Sequence, residues 1–201
     1  SLSKFNVLNE MKEYNEGFAL AVKRLLEQAN EGTSVGGKVV GVVASLMKVP
    51  AKYEVAIETA LGGNIQNIVT EDETTAKKMI EFLKTNRLGR ATFLPLTSVT
   101  AKGNPKNEAA MNEAGVLGVA NQLVSCEDKY KEVAAYLLGR VLVVDTVEHA
   151  IAIARKHHYS LHMVTLEGEY LSPGGSMSGG AFKNSSNLLA RNREIEELEK
   201  N

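Results

Sequence analysis

Ser172-Pro173-Gly174-Gly175-Ser176-Met177-Ser178-Gly179-Gly180 is the stretch on which the reading of this chain turns. Four of the seven residues from Gly174 to Gly180 are glycine. Each glycine inside a regular element costs about 0.5–1 kcal/mol relative to alanine. The stretch must therefore use either the backbone freedom or the missing side chains. It can cradle an anion, form a tight turn, or let another backbone approach closely. The flanks place it. Met163-Val164-Thr165-Leu166 and Glu167-Gly168-Glu169-Tyr170-Leu171 read as two strands joined by a glycine turn. A polar link and a helix follow. The glycines thus sit at the outward end of a sheet, shortly before the chain leaves the domain.

Working outward, the middle of the chain repeats itself. Gly41-Val42 and Gly118-Val119 open two segments 77 positions apart. At that offset Leu46 meets Leu123, Lys52 meets Lys129, Tyr53 meets Tyr130, Leu61 meets Leu138 and Gly62 meets Gly139. Tyr53, Ala56, Ile57, Ala60 and Leu61 share the apolar spacing of Tyr130, Val133, Ala134, Leu137 and Leu138, so both segments read as helices closed by glycine. Each continues with a strand (Ile65 to Val69; Val141 to Val144) and a second amphipathic helix. The second of these carries Asp145 and Glu148 as a candidate capping pair. The first unit adds a strand over Arg90-Ala91-Thr92-Phe93-Leu94. The fold class is mixed α/β: two duplicated α/β subdomains with helical stubs at both termini.

The termini are polar with thin apolar stripes. Leu2, Phe5, Leu8, Met11 and Tyr14 mark one; Phe18, Ala21, Val22, Leu25, Leu26 and Ala29 then form a broader helical face that ends at Gly32. At the other end Ser185-Ser186-Asn187 offers N-caps, and Leu188, Ile195 and Leu198 stand at heptad-like positions among charges. Two ordinary terminal helices would explain this. The preferred reading is two stubs of one antiparallel coiled coil. The resulting division is 1–16 N-terminal stub, 17–98 subdomain one, 99–115 a polar linker containing Gly103 and Pro105, 116–184 subdomain two, and 185–201 C-terminal stub.

At 201 residues the chain can bury a core without disulfides or metals. Its net charge of −1 forces neither a nucleic-acid nor a membrane partner. Cys126 is the one cysteine, as in a reducing compartment. No apolar run approaches the roughly 20 residues of a membrane span, and no signal peptide is read, so a cytoplasmic location is expected. Beginning with serine, the chain reads as a piece of something longer.

Tests for chemistry give no catalytic set. A phosphate loop needs G-x-x-x-x-G-K-[ST]; neither the glycine stretch nor Gly36-Gly37-Lys38-Val39-Val40-Gly41 supplies it. The dinucleotide fingerprint is missing, and the pattern G-x-S-x-G fails at Ser176 and at Ser178. His158 and His162 lack a third metal ligand. Glu127 and Asp128 beside Cys126 would raise its thiol pKa, which makes an inert cysteine. No metal and no cofactor is expected in this fragment, and no enzymatic activity. Lys183, Arg191 and Arg193 follow the glycine stretch and suit a weak, sequence-independent phosphate contact with DNA.

The pattern resembles the hinge domain of bacterial SMC (structural maintenance of chromosomes) proteins. The residues that carry it are Lys52-Tyr53-Glu54-Val55-Ala56-Ile57-Glu58-Thr59-Ala60-Leu61-Gly62, Gly89-Arg90-Ala91-Thr92-Phe93-Leu94-Pro95-Leu96, Leu137-Leu138-Gly139, Val164-Thr165-Leu166-Glu167-Gly168-Glu169, and Gly174 to Gly180. The resemblance implies a two-subdomain hinge at the end of a long coiled coil. It implies a homodimer, with Gly174, Gly175, Ser176, Met177, Ser178, Gly179 and Gly180 at the contact, DNA as a further partner, and a nucleoid-associated location. The ATPase head would lie in other parts of such a protein. The alternative is a small nucleotide- or anion-binding α/β enzyme domain that uses the Gly174–Gly180 loop.

Overall fold

The computed structural model describes residues 19–30, 39–181 and 188–200. In chain order the elements are α1 (Leu20–Asn30), β1 (Val39–Val42), α2 (Val43–Leu46), α3 (Glu54–Leu61), β2 (Ile68–Thr70), α4 (Glu73–Thr85), β3 (Phe93–Pro95), α5 (Pro105–Ala110), β4 (Val116–Val119), α6 (Lys131–Leu138), β5 (Val141–Val144), α7 (Val147–Lys156), β6 (His162–Thr165), β7 (Tyr170–Leu171), β8 (Met177–Ser178) and α8 (Leu188–Glu199). Short 3-10 turns join several of them. The described residues form two compact units, one from within 1–46, 63–99 and 184–201, the other from within 47–62 and 100–183.

The first unit holds a three-stranded sheet in the order β1-β2-β3, with β1 antiparallel and β3 parallel to β2. Its core gathers Ala21 and Leu25 of α1, Ile68 of β2, and Met79 and Leu83 of α4. Asp72 caps α4, its carboxylate accepting from Thr75 N at 2.8 Å. In α8, Leu188, Leu189, Ala190, Asn192 and Ile195 are buried, and Asn192 Nδ2 donates to the Ala44 carbonyl of α2. The buried face of α8 is thus broader than the narrow stripe read from Leu188, Ile195 and Leu198. The stub expected over 1–16, the stop at Gly32 and the caps at 185–187 lie outside the described residues.

The second unit holds a five-stranded sheet in the order β4-β5-β6-β7-β8. β5 is Val-Leu-Val-Val and buried on both faces, as a central strand must be. One face packs Leu142, Val144, Met163 and Leu171 against Ala150, Ile153 and Ala154 of α7. On the other face α3 packs against β6 and against α6. β6 and β7 are antiparallel around Gly168, as the sequence leads one to expect.

Four local expectations change. Met47–Gly62, which chain order assigns to subdomain one, packs with 100–183. The polar linker contains a helix, α5, capped by Asn104 with Pro105 in its first turn; its Ala110 is fully buried, and Asn107 Nδ2 donates to Gly139 O at 3.1 Å. Gly62–Gln66 is a 3-10 turn, so β2 starts at Ile68 rather than Ile65. The α7 cap is Thr146, whose hydroxyl accepts from His149 N at 3.2 Å; Asp145 instead accepts from Thr146 N and sits 2.7 Å from His149 Nδ1. Glu148 has no part in that cap.

Candidate functional site

The glycine stretch forms the turn between β7 and β8, followed by an exit segment. Ser172 N donates to Ser176 O at 2.9 Å and Gly175 N to Ser172 O at 3.0 Å, closing the turn. Gly174 N donates to Tyr159 O at 2.8 Å, tying the turn to the end of α7. The Gly174 and Gly175 amides, which an anion cradle would need, are therefore used inside the chain. β8 then pairs with β7, Met177 opposite Leu171 and Ser178 opposite Tyr170.

β8 is the last strand of its sheet, and among the described residues nothing pairs with its outer side. Every residue from 173 to 181 is exposed. Met177, the one large apolar side chain on the strand, is 52% exposed. It rims a hollow of about 220 Å³ lined by Ile151, Tyr159, Leu161 and Leu171 together with Arg155 and Ser172. An open edge of this kind offers unpaired backbone groups to any strand that comes alongside.

A Cβ built at Gly174 or Gly180 would have no atom of the described residues within 4 Å, so packing among them does not require glycine there. Backbone conformation does: φ is 92° at Gly174 and 139° at Gly180. At Gly179 a Cβ would lie 3.2 Å from Glu169 Cγ, and at Gly175 it would lie 3.7 Å from Tyr159 Cδ1. At Gly174 and Gly180 the surface of the stretch is bare main chain, between the exposed side chains of Ser176, Met177 and Ser178.

The other residues singled out in the sequence are spread. Arg191 and Arg193 lie on α8 in the first unit, while the glycine turn belongs to the second. Arg191 Nη1 is buried without a hydrogen-bond partner among the described residues, and Arg193 Nη1 pairs with Glu197 at 3.1 Å. Lys183 is outside the described residues. His162 Nδ1 lies 2.9 Å from the Tyr170 hydroxyl, and among the described residues no cluster suited to a metal occurs. The Cys126 thiol is pushed up first by burial and then by Asp128, against an opposing pull from Lys131. The neighbouring acid that the sequence stressed is the lesser cause.

Residues 36–154 match the family profile described as SMC proteins Flexible Hinge Domain. This chain belongs to the SMC hinge family. The match stops before the glycine turn, but whole-chain relatives carry through it. The Chromosome partition protein Smc of Halothermothrix orenii is 42% identical over 98% of this chain, and that of Bacillus subtilis 40% over 98%. The chain spans only 16% and 17% of those two relatives. Among solved structures, an asymmetric dimer of the Geobacillus stearothermophilus SMC hinge domain superposes with a TM-score of 0.86 at 38% identity, covering 98% of this chain and 79% of that one. The Pyrococcus furiosus Smc hinge domain with an extended coiled coil gives 0.67 at 28%, covering 98% and 73%. The mixed α/β SMC-hinge fold expected from the sequence is thus the fold observed. Among the described residues no helix is long and apolar enough to cross a membrane.

Proposed function

We propose that this hinge joins two copies of an SMC chromosome-partition protein, and that the second copy docks on the outer edge of β8 and the bare main chain of Gly174–Gly180. The observation that carries this reading is the combination at β8. Among the described residues the strand has an open edge, Met177 is half exposed beside a partly apolar hollow, and no side chain stands outside Gly174 or Gly180. An exposed edge left in this state invites pairing with another chain. A closed assembly is the arrangement that removes it from solvent without producing fibres. The relative from Geobacillus stearothermophilus was solved as a dimer, which supports the reading.

In this account the domain performs no chemistry. Hydrolysis of ATP falls to parts of the protein outside this chain. Contact of the hinge with DNA belongs to the same proposal; of the residues read for it, Arg191 has its Nη1 buried and Arg193 would first have to leave Glu197. The test is molar mass by light scattering for the wild type and for Met177→Lys. The wild type is expected at twice the chain mass. The variant, with a charge at the centre of the docking edge, is expected as a folded monomer. A wild-type monomer at high concentration overturns the proposal.

A further inference from the structure

The hollow beside Met177 has an apolar floor, an aromatic wall and one charged lining residue. Ile151 and Ala154 of α7, Leu161 just before β6 and Leu171 of β7 supply the apolar part. Ala154, Leu161 and Leu171 belong to the core of the second unit, so this floor is fixed. Tyr159 supplies the wall. Its φ is 56°, in the left-handed region that bulky residues avoid. Its backbone is held on both sides: its N donates to Ala154 O at 2.8 Å, and its carbonyl accepts from Gly174 N at 2.8 Å. The ring lies over Gly175, with Cδ1 3.7 Å from where a Cβ would stand, and it stays 46% exposed.

The charge on the hollow is uncompensated. Arg155 is the one charged residue among the described residues that line it, and no acid is among them. The next residue, Lys156, is taken by Glu113 at 2.7 Å. Among the described residues the Arg155 side chain has no hydrogen bond or ion pair, and the Ser172 hydroxyl, also on the lining, has no hydrogen bond. A concave apolar surface with a few unspent polar groups around it is the usual form of a small-molecule site. Every lining residue belongs to the second unit, so the site does not depend on how copies of the chain associate.

We propose that this hollow binds a small amphipathic carboxylate, a short apolar tail with an acid head. The tail takes the place of water on Ile151, Leu161 and Leu171. The head meets Arg155, whose forked donors match the two oxygens of a carboxylate, and the Ser172 hydroxyl adds a donor. A neutral apolar ligand leaves Arg155 unpaired, and a bare anion leaves the floor wet. The volume, about 220 Å³, is below the roughly 300–1,000 Å³ of drug-sized sites, which keeps the tail short.

The test titrates the full 201-residue chain, at one fixed protein concentration, with hexanoate while the methyl signals of Ile151, Leu161 and Leu171 are followed by NMR. A saturable shift of all three is expected. Acetate, the head alone, and hexanol, the tail alone, should each bind about tenfold more weakly than hexanoate, or weaker still. Arg155→Gln should weaken hexanoate binding about tenfold or more, the loss of a charge-assisted contact, with hexanol binding and circular dichroism unchanged. Ser172→Ala should weaken hexanoate by a smaller factor. Methyl signals that hexanoate does not move overturn the site. So does an Arg155→Gln chain that binds hexanoate as tightly as the wild type, because the acid head then lies elsewhere. Methyl signals that move when the protein alone is diluted, and not with hexanoate, would give the hollow to a second copy and overturn the site as well.

Discussion

Lys48 and Ser125 exchange both backbone hydrogen bonds, Lys48 N to Ser125 O at 2.7 Å and Ser125 N to Lys48 O at 2.8 Å. They are 77 positions apart, the offset that relates Gly41 to Gly118 and Lys52-Tyr53 to Lys129-Tyr130. Each of these two residues is thus the repeat counterpart of the other, and the two copies meet at equivalent positions. The helices that follow, α3 and α6, are also counterparts, and they pack on one another. In both copies a lysine ammonium lies over the ring of the next tyrosine, at 4.7 Å for Lys52 and 5.1 Å for Lys129.

The repeat makes a prediction about paired substitutions. Gly41 and Gly118 interrupt their strand registers in the same way, at φ 151° and 149°, with Leu46 and Leu123 packed at 3.5 and 3.4 Å from where a Cβ would stand. Gly41→Ala and Gly118→Ala should each cost about 1–3 kcal/mol of stability in urea unfolding, from backbone strain. A cost at one position and none at the other would break the equivalence.

The repeat and the β6–β7 hairpin were legible because hydrophobic spacing and glycine stops report local structure. What was not legible depends on partners distant in sequence. Residues 99–115 read as a linker by polarity, yet Asn104-Pro105 was a helix-start signature already present. The burial of Ala110 and the bond from Asn107 to Gly139 O come from tertiary contact. Met47–Gly62 joins the second unit through the Lys48–Ser125 bridge and the packing of α3 on β6, pairings that periodicity cannot reveal. The glycine stretch stood out as costly, but only the structure shows the Gly174 amide spent on Tyr159 O and the outer edge of β8 left open.

Acid should loosen the second unit at a defined place. Glu113 accepts from Lys156 at 2.7 Å and lies 3.2 Å from His157 Nε2, and these partners, Lys156 first, hold its carboxyl below the ordinary range. A carboxyl whose folded pKa is depressed stabilises above its unfolded value, about 4.3, and loses that contribution as pH falls through the lower folded value. His149 acts on Asp145 with the same sign. Glu113→Gln should therefore flatten the dependence of melting temperature on pH below about 4.3, while the profile near neutrality keeps its shape.

Cys126 should react slowly. Its raised thiol pKa leaves less thiolate at pH 8 than a free cysteine has. Alkylation of the folded chain by iodoacetamide should be slower than that of the unfolded chain, and equal rates would contradict the partial burial of Cys126.

Gly179 and Gly180 should separate docking from folding. Gly179→Val meets the movable Glu169 Cγ and keeps an ordinary φ, so a folded chain with half the wild-type molar mass is expected. Gly180→Val puts a β-branched residue at φ 139° and should also lose about 1–3 kcal/mol of stability. Sedimentation combined with urea unfolding checks both effects.

Hydrogen exchange at the amides of Ser176 to Gly180 tests the account most directly, followed as the protein is diluted. Exchange is predicted to be slow at high concentration and to speed up across the same dilution range in which molar mass halves. Amides that exchange fast at every concentration while the molar mass stays double would show that the two copies meet elsewhere.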